Sequence, residues 1–139
     1  MNDSANSTSS KKGILVLDID GTLAFGNPQG EVTPKQVAQF KKQYKDWKII
    51  ALSRKVWNAK TREKLQELGL DGLYCEYKVD DPISLHPRLI AYRKAYWLRK
   101  LGKDFPYHVY VGDRESDEKA SKMSNFLFLH AKDFKKVLK

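Results

Sequence analysis

A chain of 139 residues is long enough for one domain with a real core and too short for two ordinary ones, so a single active site is expected. Its 26 Lys and Arg against 17 Asp and Glu leave a net charge of +9 spread along the chain. A polyanionic partner is therefore plausible, and a Lys-rich surface that merely solvates the protein is the plain alternative. Cys75 is the single cysteine, which excludes an intramolecular disulfide and a cysteine metal cluster; any metal must sit on oxygen or His ligands, and a reducing, cytoplasmic-type compartment is expected.

Met1 to Ser10 are small and polar, with no apolar run to serve as a signal peptide or membrane anchor. Residues 1–11 are read as a disordered tail and 12–139 as the domain. The Asn6-Ser7-Thr8 triplet matches a glycosylation acceptor but has no secretory signal to give it meaning. Gly13 to Leu17 is an aliphatic run of the type buried on both faces of a sheet, and it ends at Asp18. After a Gly- and Pro-containing loop from Gly21 to Val32, Thr33-Pro34 followed by Gln36 supplies an N-cap, a first-turn proline and a capping-box partner, predicting a helix from about Pro34 to Tyr44. Trp47 to Leu52 reads as a second strand, and Asn58 to Leu68 as a helix stopped by Gly69.

Gly72 to Tyr77 is a third, weaker strand. A long helix from about Pro87 to Leu101 is expected to end at Gly102 in the left-handed C-terminal conformation. Tyr107 to Val111 is a fourth strand, Glu115 to Met123 a helix, Asn125 to Leu129 a fifth strand and Lys132 to Leu138 a short basic helix. Strands and helices alternate throughout, which predicts an α/β fold: a Rossmann-like three-layer sandwich with a five-stranded parallel sheet. In such sheets the ligand site lies beyond the carboxyl ends of the strands.

Those ends hold Asp18 and Asp20 after the first strand, Ser53 and Arg54 after the second, and Gly112-Asp113 with Asp117 after the fourth. Carboxylates converging on a small volume repel one another unless a hard divalent cation neutralises them, and all-oxygen ligands select magnesium or a similar ion. Asp18-Ile19-Asp20-Gly21-Thr22-Leu23 resembles the first motif of the haloacid dehalogenase-like phosphatases. Ser53 and the run Gly112-Asp113-Arg114-Glu115-Ser116-Asp117 follow in that family's order and rough spacing, so the resemblance covers the chain from Lys12 onward.

The resemblance implies that Asp18 attacks phosphorus to form an aspartyl-phosphate and that Asp20 is general acid and then general base. It implies a magnesium site on Asp18, the Asp20 backbone carbonyl and Asp113, with Asp117 just behind; a helix N-terminal carboxylate is the alternative reading of Asp117. Ser53 and the amides after it, including Arg54, would bind phosphate oxygens, and a capping serine is the alternative for Ser53. The family also places a cation before the fourth strand. Arg88, 25 residues before Asp113, is preferred: Arg88-Leu89-Ile90-Ala91-Tyr92 resembles the corresponding run of capless octulosonate-phosphate phosphatases. Lys94 is the competitor, sharing a helical face with Ile90, Trp97, Leu98 and Leu101; the plain reading is that its stem packs and its amine snorkels outward. Lys78 and His86 are weaker candidates, and His108 and His130 are assigned no function.

Only about 32 residues separate the first two motifs, which leaves no room for a cap domain. Capless members of the family take large substrates or use a neighbouring subunit as a lid. A phosphorylated nucleic-acid end, as in polynucleotide 3′-phosphatases, is the preferred substrate, with Arg88, Tyr92, Tyr96, Arg99 and Lys103 at helical spacing as a charged and stacking stripe. A sugar phosphate or nucleotide in a site closed by oligomer contacts through Trp57, Tyr92, Tyr96 or Trp97 is the alternative, and a non-catalytic binding module the third reading. No membrane partner is expected.

Overall fold

A computed structural model describes residues 11–19, 22–23, 32–53, 59–75 and 87–138, with side chains from residue 90 in the last stretch. Asp20, Arg54, Trp57, Lys78, His86, the loop 24–31 and the Arg88 side chain lie outside the described residues. Five strands, β1 (Gly13–Leu17), β2 (Trp47–Ser53), β3 (Gly72–Cys75), β4 (Tyr107–Gly112) and β5 (Leu127–His130), form one sheet in the order β3-β2-β1-β4-β5. Every neighbouring pair is parallel. β1 lies at the centre, and all five of its residues are buried, as its unbroken aliphatic sequence requires.

The helices are α1 (Pro34–Gln43), α2 (Ala59–Glu67), α3 (Pro87–Gly102), α4 (Glu115–Ser124) and α5 (Ala131–Val137). Alternating strand residues serve opposite faces. Leu15, Leu17, Ile49, Ala51 and Val111 pack with Val37 and Phe40 of α1, Leu65 of α2 and Phe134 of α5. Ile14, Val16, Ile50, Leu52 and Tyr110 pack with Ala95 and Leu98 of α3 and Ala120 of α4. The three-layer α/β sandwich expected from the alternating pattern is what the chain forms. Each fully buried Leu, Ile or Phe contributes roughly 1.5–3 kcal/mol, so the two apolar layers dominate the stability.

Local signals set the ends. The Gln36 amide donates to Thr33 Oγ1 at 3.2 Å and the Thr33 amide to Gln36 Oε1 at 3.0 Å, closing the capping box of α1. Gly69, just past α2, takes φ 77°, which only glycine adopts without strain. Two expectations need correction. Gly102 is the last residue of α3 and is not left-handed; a Cβ there would lie 2.8 Å from Phe126 and 2.9 Å from His108, so its value is close approach. Asn125 is not in β5: it caps α4 in the left-handed region at φ 60°, the Phe126 amide donates back to Ser121 O at 2.9 Å, and the strand starts two residues later. His130 also acquires a role, its Nδ1 accepting the Lys132 amide at 3.2 Å as the N-cap of α5.

Candidate active site at the carboxyl edge of the sheet

Parallel pairing sets the strand ends side by side, with Leu17 opposite both Ala51 and Val111. Asp18 therefore leaves the central strand between Ser53 on one side and Gly112-Asp113 on the other. Its amide continues the ladder by donating to Val111 O at 2.9 Å, which fixes the backbone. The chain then turns: the amides of Thr22 and Leu23 donate to Ile19 O at 3.2 and 3.0 Å, and Ile19 and Leu23 are both buried. The Val32 amide donates to Leu23 O at 3.2 Å, which sets these two buried residues side by side. Ser53, the last residue of β2, is buried with Asp18 at this edge.

Lys94 projects from the buried face of α3, where its neighbours Ala91, Ala95 and Leu98 let the helix lie close to the sheet. Its amine does not snorkel. Lys94 is 4% exposed, its Nζ donates to Asp117 Oδ1, and it stands 3.7 Å from Asp18 Oδ1. It also lies 5.8 Å from the centroid of the Tyr110 ring. An ammonium removed from water costs several kcal/mol unless paired, and these two carboxylates are what make its burial tenable. The structure thus brings Lys94 to the first-motif aspartate.

Asp117 sits in the first turn of α4 and is fully buried. Its Oδ1 accepts from Lys94 Nζ and, at 3.2 Å, from the Tyr110 hydroxyl; its Oδ2 accepts the amides of Asp113 and Arg114 at 3.2 and 3.1 Å. Both oxygens are engaged in positioning: one holds the lysine, the other the backbone that carries Asp113. The helix N-terminal placement is met at the same time and reinforces it. Gly112 makes the arrangement possible, because a Cβ at that position would lie 2.6 Å from the Asp117 Cβ and Cγ. Tyr110 is the signal that sequence reasoning passes over: a tyrosine in the buried half of a strand must find a partner for its hydroxyl.

Asp18, Asp113 and Asp117 each offer an oxygen within 4.8 Å of the other two. Among the described residues, three carboxylates and the Lys94 ammonium meet here, an excess of negative charge, 3 − 1 = 2. Among the described residues, the buried Asp113 Oδ1 has no hydrogen-bond partner. An all-oxygen donor set, the acidic excess among the described residues and an orphaned carboxylate oxygen fit a divalent cation of the magnesium type.

No protein-family profile matches the sequence, and no curated protein does. Solved structures do resemble the fold. The D,D-heptose 1,7-bisphosphate phosphatase of B. bronchiseptica, complexed with magnesium and phosphate, is 15% identical with a TM-score of 0.54, over 84% of this chain and 78% of that one. The domain of effector protein Lem4 from Legionella pneumophila, named a HAD domain after the haloacid dehalogenase family, is 16% identical with a TM-score of 0.53, over 94% and 95%. A chain of the Pnkp1/Rnl/Hen1 RNA repair complex is 18% identical with a TM-score of 0.58, over 87% of this chain but only 42% of that longer one. The likeness to these three solved structures is one of fold. Among the described residues, no helix is long and apolar enough to cross a membrane.

Proposed function

We propose that the chain is a magnesium-dependent phosphomonoester hydrolase working through Asp18. The observation that carries this reading is the buried contact of Lys94 with both Asp18 and Asp117 at the carboxyl edge of the sheet, next to the orphaned oxygen of Asp113. Lys94 offsets the charge of Asp18 as a phosphoryl group, itself anionic, approaches. Asp18 attacks phosphorus and the bond to the leaving oxygen breaks; Asp20, assigned from the sequence motif, protonates that oxygen. Asp20 then takes a proton from water, the water oxygen attacks phosphorus, and inorganic phosphate leaves as Asp18 is restored. Ser53, with Arg54 beyond it, donates to the phosphoryl oxygens.

Asp18 and Asp113, with the Asp20 carbonyl, would hold magnesium, and Asp117 would orient Asp113 through its amide. The bound ion would neutralise charge on the phosphoryl oxygens. Lys94 takes the cationic role here because its amine reaches Asp18; Arg88 at the start of α3 is left to meet the substrate.

A phosphorylated nucleic-acid end is the preferred substrate. The net charge of +9 and the likeness to a chain of an RNA repair complex support it. The test is phosphate release by wild type and Asp18→Asn, with and without magnesium, from a 3′-phosphorylated oligonucleotide, nucleotides and sugar phosphates. Release that needs both Asp18 and magnesium and is fastest from the oligonucleotide is expected. Preference for a sugar phosphate by an oligomer points to the small-molecule alternative, and no release from any member by folded protein overturns the phosphatase reading.

A further inference from the structure

From Pro87 to Lys103 the sequence holds six cations, Arg88, Arg93, Lys94, Arg99, Lys100 and Lys103, and no acidic residue. Lys94 turns inward to the site. On the outside, Tyr92 and Tyr96, one turn apart, are 57% and 56% exposed, and Arg99, Lys100 and Lys103 follow them, all exposed. α2 mixes its charges, with Lys60, Arg62, Glu63, Lys64 and Glu67, and α1 carries lysines alone but no exposed aromatic ring. α3 instead sets two open phenol rings among cations alone. Trp97 is excluded from this surface: it is half-buried, packs edge-on to Tyr96 at 6.1 Å and carries the Lys100 ammonium 5.1 Å above its ring. The Arg99 guanidinium donates to Met123 O at 2.8 Å, which fixes it on the seam with α4 while it stays exposed.

We propose that the outer face of α3 is a docking surface for single-stranded nucleic acid, with Tyr92 and Tyr96 stacking on successive unpaired bases and Arg99 and Lys103 meeting the phosphates. Two rings separated by one helical turn stand about 6 Å apart along the axis, enough for two bases splayed from a strand. A symmetric pairing of two copies through the same face would set cation against cation, and protein interfaces are depleted in lysine. A polyanion complements the face instead. The proposal rests on the phosphatase reading only for the purpose of the surface, not for its existence.

The test is fluorescence anisotropy of the full chain with a short labelled single strand that carries no terminal phosphomonoester, over a range of salt concentrations. Tyr92→Ala and Tyr96→Ala are expected to weaken binding by about tenfold each. Lys103→Glu is expected to flatten the logarithmic salt dependence by about 0.7 or more, and Lys35→Glu, the same charge change on α1 across the sheet, much less. All four sites are exposed, and unchanged circular dichroism melting verifies folding. Wild type that does not bind, tyrosine variants that bind as wild type, or a dimer that Tyr92→Ala dissociates while oligonucleotide binding persists each overturn the proposal. Binding as expected without phosphate release from any substrate would sink the phosphatase and leave the surface standing; release without binding would do the reverse.

Discussion

Lys94 Nζ stands 3.7 Å from Asp18 Oδ1 while hydrogen-bonded to Asp117, so one buried ammonium joins the carboxylate that ends the central strand to the one that opens α4. Three elements meet there. β1 supplies Asp18, α3 the cation, and α4 the carboxylate that keeps the cation in place. Removing the cation leaves Asp117 buried and short of its charged partner. Lys94→Met is expected to cost about 3–5 kcal/mol of stability and to lower phosphate release at least about a hundredfold. Adding Asp117→Asn to it should restore part of the stability and none of the activity. Melting curves and turnover numbers of the three variants check this, and a Lys94→Met protein melting with wild type would refute the pairing.

The orphaned Asp113 Oδ1 predicts a metal effect that does not depend on turnover. Wild type should melt at higher temperature as magnesium is raised, following the logarithm of ion concentration over its dissociation constant. Asp113→Asn removes one negative charge from the cluster, so it should lose that dependence and, without metal, melt no lower than wild type. Calorimetry with magnesium and with chelator measures both.

Gly112 is where the chain makes room for Asp117, whose Cβ and Cγ would lie 2.6 Å from an added methyl. Gly112→Ala should therefore cost about 1–3 kcal/mol and reduce activity by shifting Asp117, with Lys94 and the Asp113 amide following it. The melting temperature and the turnover number are expected to fall together. A change in stability alone would mean that the carboxylate moves without disturbing the site.

Tyr110 offers a milder perturbation of the same network. Tyr110→Phe keeps the buried ring and removes the hydroxyl with its 3.2 Å hydrogen bond to Asp117 Oδ1, while Lys94 still holds that oxygen. A loss of about 0.5–1.5 kcal/mol is expected, with activity largely kept. Denaturant titration resolves a change of that size.

The sheet was legible because β1 and the middle of β2 are aliphatic runs that stop at Asp18 and Ser53, and because strand and helix signals alternate along the chain. Thr33 with Gln36, and Gly69, marked helix ends through backbone chemistry that a sequence carries openly. Lys94 was harder. On a helical wheel it is one lysine beside Ile90 and Leu98, and a snorkelling amine satisfies that pattern as well as a buried one. Only the distance to Asp18 and Asp117, set by how closely Ala91 and Ala95 let α3 approach the sheet, decides between them. Asn125 reads as part of a strand for a related reason. Its tolerance of the left-handed region shows only once the Phe126 amide is seen closing α4.

The central claim is that Asp18 carries the phosphoryl group, and labelling of the protein tests it most directly. A single turnover in ¹⁸O-water, followed by proteolysis and mass spectrometry, should leave the Asp18 peptide unlabelled and place the heavy oxygen in phosphate, because water attacks phosphorus. Quenching in acid during turnover should instead add one phosphoryl mass to the Asp18 peptide. Phosphate release at the wild-type rate by Asp18→Asn, with no phosphoryl group trapped on that peptide in wild type, would contradict the account.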